Sequence, residues 1–381
     1  MIYFDNSATT KPYPEVIEAY VKVADQFFAN PSSIHLLGSE VEKLLSQSRT
    51  LTASLLGAKP SEIVFTSGGT EGNNMAVKGV AYQYHNRGKH IITTSIEHPS
   101  VLEAFKQLES LGYSVSYLDV DKSGRIDLEQ LKSTLRADTI LVSIIHVNNE
   151  LGTIQPIQEI GEVLKKHPKI LFHVDHVQGI GKVPLQLKDS GIDLCTISGH
   201  KFHALRGTGI LYIRDGVRIA SIMSGGGQEM GVRSGTENVA GIVSMTKALR
   251  LTLEKSNHSG IKHLLQLKET LLSGLRKMDG VVINTPDQGS APHIINFSVL
   301  NVKPEVLIHS LSKHNIFVST QSACSSKLAQ ASRVLMAAGL GEERAKSAIR
   351  VSFTIDNKIE EVREFLDVLA EIIPKLQEVM G

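Results

Sequence analysis

The chain has 381 residues, of which 41% are hydrophobic and 21% are charged, and its formal net charge at pH 7 is +1. The length predicts two domains, or one large core with an appended lobe. The near-neutral charge argues against general electrostatic binding to nucleic acid or to an anionic membrane. No apolar run approaches the about 18–20 residues of a membrane span. With two cysteines and no leader-like pattern in MIYFDNSATT, we expect a cytoplasmic protein whose thiols stay reduced.

Apolar, strand-like runs alternate with helical patterns through the first two thirds of the chain. The runs cover residues 62–66, 90–94, 115–118, 140–147, 171–174 and 194–198, and helical segments between them include 73–83, 100–111 and 157–166. Continuously apolar strands separated by helices are typical of a parallel sheet that is covered on both faces. The pattern therefore predicts an α/β fold with a mostly parallel central sheet, which binds ligands at the carboxyl ends of its strands.

The pattern changes after about residue 250. Short strand-like runs at 281–284, 293–299, 316–319 and 349–354 lie among longer helical stretches, and a helix closes the chain. We predict a large domain formed by residues 15–250 and a smaller α+β domain formed by residues 1–14 and 251–381.

A glycine-rich turn, SGGTEGNN (67–74), follows the first of the predicted strands and opens a helix. Glycines let backbone N–H groups approach an anion, and the helix N-terminus favours negative charge there. Thr70 can add a hydroxyl donor. Alone, the motif also fits an ordinary turn between a strand and a helix, and it lacks the Lys-Ser/Thr of a P-loop.

Two ionisable residues follow neighbouring strands. Asp175, in FHVDHVQ, lies at the tip of a buried strand, and Lys201, in ISGHKFH, comes just after another. Each alone has an ordinary explanation, a helix cap for Asp175 and an exposed position for Lys201. Together with the glycine-rich turn they map to one edge of one sheet. Pyridoxal phosphate (PLP) needs such a set: an anion cradle, a carboxylate for the ring nitrogen and a lysine for the Schiff base.

A series of motifs in this order resembles the signatures of the cysteine desulfurases, which are PLP enzymes of the aspartate aminotransferase fold (PLP fold type I). The motifs are SGGTEGNN, EHPS (97–100), VNNELG (147–152), HVDHVQ (173–178), SGHKFH (198–203), GGGQEMGVRSGTEN (225–238), SACSS (322–326) and RVSFT (350–354). The long SACSS-type loop resembles that of the NifS/IscS-like subgroup, whose members supply sulfur for iron–sulfur cluster assembly, nitrogenase maturation and tRNA thiolation.

The resemblance implies a role for each matched residue. Lys201 would form the Schiff base and move the Cα proton, Asp175 would pair with the pyridine nitrogen, and Gln178 would bond the ring hydroxyl. His98 would stack on the ring and, as a catalytic residue, move protons during sulfur release. The phosphate would be held by Gly69, Thr70, Ser198 and His200, and by Thr236 across the interface of a homodimer.

The same resemblance assigns the substrate and the sulfur. Asn149 and Arg350 would hold the substrate carboxylate, with Asn30 near them and Asn149 also at the cofactor. Cys324 would take the sulfur of L-cysteine as a persulfide, leaving L-alanine, and pass it to an acceptor protein such as a cluster scaffold or a tRNA-thiolating enzyme. Cys195 lies within an apolar strand, which favours a buried structural role.

The chain departs from the family pattern at several positions, notably His176, where alanine is usual, and 204–206 (Ala-Leu-Arg), where Gly-Pro-Lys is usual. Side chains alternate along a strand, so His176 should point away from the ring that Asp175 meets. Ala204 would replace a glycine suited to a positive φ after the lysine turn.

Three other functions fit parts of the pattern. One is a PLP-dependent aminotransferase or lyase that does not use Cys324, and another is an inactive scaffold homologue. The third is a metal site, for which the candidate ligands would be His98, His173, His176, His200 and His203.

Overall fold

The structure is a computed structural model that describes residues 1–320 and 331–380. Its strands are β1 (Ile2–Tyr3), β2 (Ile63–Thr66), β3 (His90–Thr94), β4 (Ser114–Leu118), β5 (Thr139–Ile145), β6 (Leu171–Asp175), β7 (Leu194–Ser198), β8 (Gly209–Ile213), β9 (Val281–Ile283), β10 (Ile294–Val299), β11 (Ile316–Phe317) and β12 (Ala348–Ser352). Its helices are α1 (Pro14–Gln26), α2 (Leu36–Leu55), α3 (Gly69–Gln83), α4 (Pro99–Ser110), α5 (Leu128–Thr134), α6 (Ile157–Leu164), α7 (Val239–Lys255), α8 (His258–Leu275), α9 (Pro304–Lys313), α10 (Arg333–Ala337), α11 (Glu342–Lys346) and α12 (Ile359–Met380).

The main sheet has seven strands in the order β2-β8-β7-β6-β5-β3-β4. The strands from β7 to β4 pair in parallel, and β8 is antiparallel to both of its neighbours. A mostly parallel sheet was predicted, and six of its strands were predicted from apolar runs. The seventh, β8, was not, because this short run returns from the lysine turn instead of following a crossover helix.

Alternate residues of each strand enter two different apolar cores, one on each face of the sheet. Ile92 and Val142 pack with residues of α1, α2, α6 and α7. Their neighbours Ile91 and Leu141 pack with residues of α3 and α4. This period-two division explains why the strands are continuously apolar, since each face is buried beneath helices.

A third core forms around the smaller antiparallel sheet, β12-β10-β9, with α8, α9 and α12. The N-terminus belongs to it, because β1 pairs with β11 and the Phe4 ring meets the Phe353 ring edge-on at 4.9 Å. Tyr13 packs in the large-sheet core instead. The domain boundaries stay a prediction, which the separate cores support.

The carboxyl ends of β2, β3, β5, β6 and β7 lie at one edge of the sheet. There β2 leads into α3, β3 leads into α4, and β7 leads into a short 3-10 helix (Gly199–Lys201). The motifs therefore meet at this edge. Within the described ranges, no helix combines the length and apolarity that crossing a bilayer requires.

Candidate active site

A cavity opens at this edge of the sheet, between the large sheet and β12. Side chains and backbone from six of the motifs surround it, together with the N-terminal segment. Its lining residues are Ser7, Ala8, Gly69, Thr70, Asn73, His98, Ser100, Ile145, Asn149, Asp175, Val177, Gln178, Ser198, His200, Lys201 and Arg350.

Asp175 is the last residue of β6, and only 3% of its surface is exposed. Burial raises the pKa of its carboxyl, and two hydrogen bonds oppose this shift. The backbone N–H of Val177 donates to Oδ1 at 3.0 Å and Asn73 Nδ2 donates to Oδ2 at 2.8 Å. These donors favour the ionised form, which is the form that can pair with a cation.

Lys201 ends the 3-10 helix that follows β7. Its ammonium donates to the carbonyl oxygens of Ser7 and, at 2.9 Å, Ala8. Burial, followed by the nearby cations Arg350 and Lys182, lowers the pKa of this amine to about 7. A substantial fraction of Lys201 is therefore neutral near neutral pH, and the neutral amine is the form that attacks an aldehyde.

The N-terminus of α3 forms an open anion cradle. Its N-cap residue, Gly68, has a φ of 153° and provides no side-chain cap, so the N–H groups of the first turn are left for a ligand. A Cβ at Gly69 would lie 3.0 Å from Val177 Cγ2 and 3.4 Å from Ser198 Cβ. A side chain at 69 would therefore crowd these two residues, where the helix approaches the neighbouring strand ends.

His98 is the N-cap of α4, and its Nδ1 accepts a hydrogen bond from the backbone N–H of Ser100 at 3.1 Å. Burial lowers the pKa of this imidazole to about 4, and the charge of Lys201 adds to the shift. The ring is therefore neutral at pH 7, with its proton on Nε2.

Arg350, in the middle of β12, is 1% exposed. Its Nη1 donates to the carbonyl of Asn149 at 3.0 Å, and its Nη2 donates to Asp5 Oδ1 at 3.0 Å. Its Nε has no partner among the described residues. A guanidinium fixed in this way, with a donor to spare, suits a carboxylate ligand.

The structure brings most of the predicted site residues together at the cavity: Gly69, Thr70, His98, Asn149, Asp175, Gln178, Ser198, His200, Lys201 and Arg350. Asn30 does not line the cavity, and its role at the substrate stays a prediction. It is exposed, and its Oδ1 accepts from the backbone N–H of Ser32 at 2.8 Å in a turn after α1. Thr236 is exposed and also outside the lining, and Cys324 lies outside the described residues.

Sequence reasoning missed the residues that support these groups. Asn73 belongs to the SGGTEGNN motif, whose pattern gives it no role, although it lies one helical turn after the anion cradle and faces Asp175. Ser7 and Ala8 lie in the DNSATT segment (5–10), and they act through backbone carbonyls, which side-chain chemistry cannot reveal. A polar residue on the buried side of α3 was the available signal for Asn73.

The departures from the family pattern lie beside the cavity. His176 does not line it, and its Nδ1 lies 2.7 Å from His146 Nδ1. The positive φ after the lysine turn falls on His203, at 65°, and not on Ala204, so the alanine causes no strain.

The histidines considered as metal ligands have other contacts. His203 stacks on Tyr13, and His173 bonds Ser143 and Thr196. In the described part of the chain, no three His, Cys, Asp or Glu residues form a group able to hold a metal ion.

The match to the aminotransferase class-V family covers residues 2–365. The chain belongs to this family. A NifS/IcsS protein homolog of Lactobacillus delbrueckii subsp. bulgaricus is 47% identical to this class-V chain. The alignment covers 98% of this chain and 97% of the homolog. Cysteine desulfurase IscS of Dictyoglomus turgidum is 44% identical, over 99% of this chain and 95% of the relative. A solved NifS-like protein superposes with a TM-score of 0.93 at 41% identity, over 98% of this chain and 100% of the other.

Class-V aminotransferases are PLP-dependent enzymes of PLP fold type I, so the predicted fold, cofactor and family resemblance are confirmed. The cavity of this class-V chain fits the cofactor on its own geometry. It offers an uncapped helix N-terminus, a buried carboxylate and a lysine. Two of its lining residues also carry buried polar atoms, Gln178 Oε1 and Asn73 Oδ1, that have no partner among the described residues.

Replacing Asn73 with alanine should weaken PLP binding by about 10- to 100-fold, since a hydrogen bond to a charged group contributes about 1.5–3 kcal/mol. Without Asn73 the pKa of Asp175 rises further, and less of the carboxylate is ionised to pair with the pyridine nitrogen. Equilibrium titration of the cofactor-free protein with PLP measures the effect. Asn74→Ala is the matched control, because Asn74 bonds backbone carbonyls and not Asp175. Equal affinities for the two variants would contradict the role of Asn73.

Proposed function

We propose that this class-V protein is a cysteine desulfurase, which converts L-cysteine to L-alanine with PLP as its cofactor. The observation that carries the proposal is a cavity that joins the buried carboxylate of Asp175 to the Lys201 amine and to Arg350. The Dictyoglomus turgidum relative, which is similar over nearly the whole chain, is named a cysteine desulfurase. That name favours sulfur removal over the other reactions of PLP enzymes.

The residues of the cavity divide the work between binding and proton transfer. Arg350, with its spare Nε donor, would bind the substrate carboxylate beside Asn149. Bound PLP supplies an electron sink for the carbanion at the substrate Cα. Asp175 would hold the charge that this chemistry needs at the ring nitrogen, and the N-terminus of α3 would hold the phosphate.

Lys201 is the group that moves the Cα proton. With a pKa of about 7, its amine can both accept and return a proton near neutral pH. His98 presents its Nε2–H and, because its pKa is depressed, it does not compete as a base. The two residues therefore differ in role, since only Lys201 titrates near physiological pH.

The sulfur acceptor in the proposal is the Cys324 thiol. L-cysteine and the Cys324 thiol give L-alanine and a Cys324 persulfide, so the C–S bond of the substrate breaks, an S–S bond forms and the atoms balance. Cys195 is a poor alternative, because it is a free cysteine buried in β7 and burial raises the pKa of its thiol. The persulfide would pass to an acceptor protein, such as a cluster scaffold or a tRNA-thiolating enzyme. A cytoplasmic location belongs to the same proposal.

A homodimer is also part of the proposal, and a group of exposed apolar residues near the start of the chain supports it. Ile17, Tyr20 and Val21 are exposed on α1, whose buried residues are Val16 and Val23. More exposed apolar residues follow up to the first turn of α2. We call the whole group the α1 patch, and its members are Ile17, Tyr20, Val21, Phe28, Ile34, Leu36 and Leu37. Apolar patches of this kind are typical of subunit interfaces.

Cys324→Ser should abolish formation of alanine from L-cysteine while leaving the PLP absorbance band intact, since the variant lacks only the sulfur acceptor. Alanine release by the purified holoenzyme, together with mass spectrometry of the Cys324 peptide, measures the outcome. Cys195→Ala is the matched control and should keep most of the activity. Unchanged alanine release by Cys324→Ser would show that Cys324 is not the sulfur acceptor, whereas turnover of L-cysteine to products other than alanine would favour an aminotransferase or lyase reaction.

The α1 patch predicts that Val21→Glu combined with Ile34→Glu converts a dimer into a monomer, because two charges would be buried in an apolar interface. Light scattering after size-exclusion chromatography gives the mass, and the wild type should have twice the mass of one chain. Leu265→Glu, at an exposed apolar position of α8 outside the patch, should stay dimeric. A monomeric wild type, or a dimeric double variant, would refute the interface.

A further inference from the structure

Lys182 is a buried lysine behind the turn that carries Lys201. Its side chain is 7% exposed, and its Nζ donates to the backbone carbonyl of Lys201 at 2.9 Å. The preceding residue, Gly181, has a φ of 68°, and a Cβ there would lie 2.7 Å from Thr252 Cγ2. The backbone before Lys182 is therefore fixed by a close approach to α7, which holds the lysine in place.

The ammonium of Lys182 is not neutralised by an acid. No ion pair within the described ranges includes it, and burial is the one cause that lowers its pKa, to about 8. A buried cation without a counter-ion is unfavourable for folding. Such a charge calls for a functional explanation.

The neighbouring carbonyl groups of the lysine turn are held by neutral donors, so a carbonyl in this turn does not need a charged donor. The carbonyl of His200 is held by the N–H and the hydroxyl of Thr10, each at 2.9 Å. The carbonyl of Phe202 is held by the hydroxyl of Thr252 at 2.9 Å. Neutral donors suffice on both sides, and the carbonyl of Lys201 alone among these three is held by an ammonium.

The charged groups around the Lys201 amine come from several elements. Arg350 on β12 and Lys182 favour its neutral form, whereas Asp5 and Asp175 favour its charged form. Asp5 is already paired with Arg350 at 3.0 Å. The nearby imidazoles, His98 and His200, are neutral because their pKa values are depressed. Lys182 is thus a cation whose field at Lys201 no adjacent acid cancels.

We propose that Lys182 is a positioning residue for Lys201: its ammonium anchors the Lys201 carbonyl, and its charge favours the neutral, nucleophilic form of the Lys201 amine. The proposal rests on the proposed role of Lys201 as the lysine that binds PLP. It explains why a lysine, and not a serine or threonine, donates to this carbonyl. It also gives the chain a means of keeping Lys201 reactive before the cofactor arrives.

The test measures the pKa of Lys201 in the full chain after PLP is removed. Trace acetylation with acetic anhydride at a series of pH values, read by mass spectrometry of the Lys201 peptide, gives the fraction of neutral amine. Lys182→Met should raise the pKa of Lys201 by about 1 unit, because a like charge nearby is removed. Below both pKa values, Lys201 should then be acetylated about tenfold more slowly. Lys182→Arg keeps the charge and should leave the pKa unchanged.

A second buried lysine provides the matched control. Lys268 donates to Ser290 Oγ at 2.7 Å and to the Ala291 carbonyl at 3.1 Å, and it is not among the charges that shift Lys201. Lys268→Met should leave the Lys201 pKa unchanged. If Lys182→Met does not fold, Lys182→Gln keeps a donor to the carbonyl and removes only the charge.

Each outcome decides the inference. A Lys201 pKa that is unchanged in Lys182→Met or Lys182→Gln, or that rises equally in Lys268→Met, overturns it and leaves Lys182 a structural residue. The proposed function fails separately, if Lys201→Ala still shows the absorbance band of lysine-bound PLP.

Discussion

The buried carboxylate of Asp175 is the constraint on which the arrangement of the site depends. A charge at the end of an interior strand is unfavourable unless donors surround it. Two elements supply these donors: Asn73 reaches it from α3, and the backbone of Val177 turns back towards it. The requirement fixes α3 against β6, and the N-terminus of α3 then lies beside the strand ends as an anion cradle. The carboxylate and the phosphate site therefore depend on the same packing.

The second constraint is that the site joins two of the apolar cores, the one that the large sheet forms with α1, α2, α6 and α7 and the one around the small sheet. Lys201 belongs to the turn after β7 in the large sheet, whereas Arg350 lies on β12 of the small one. The N-terminal segment joins them, because Asp5 pairs with Arg350 while the Ser7 and Ala8 carbonyls accept from Lys201. A change in the packing of the two cores would alter the distance between the amine and the carboxylate-binding group. Burial of the Lys201 amine, with Arg350 and Lys182 nearby, also explains why its pKa falls to about 7.

Much of this arrangement could be predicted from the sequence, since strand runs, glycines and ionisable residues at strand ends are local patterns. Asp175 and Lys201 were identified because each follows an apolar run, and parallel strands bring such positions to one edge. The strand β8 escaped detection because nothing in a five-residue run distinguishes an antiparallel return. Asn73, Ser7 and Lys182 were missed for a different reason. They act on residues far away in the sequence, through contacts that only the folded chain defines.

At the positions that depart from the family pattern, the side of a strand could be predicted from the sequence, but the conformation of a turn could not. Ala204 was expected at a position suited to a positive φ, but the turn places that conformation on His203, one residue earlier. His176 was expected to point away from the cavity, and the structure pairs it with His146 outside the lining. Periodicity predicts the side of a strand, whereas the dihedral angles of a turn depend on hydrogen bonds such as that from the backbone N–H of His203 to Thr10 Oγ1 at 2.8 Å.

Borohydride reduction of the purified protein, followed by peptide mapping, tests most directly whether this edge of the sheet is the cofactor site. Reduction makes the bond between PLP and its lysine permanent, so the label marks the reacting amine. The geometry predicts a label on Lys201 alone, because its amine lies in the cavity with Asp175 and the anion cradle. A label on Lys182 or on any other lysine would contradict this assignment of the site.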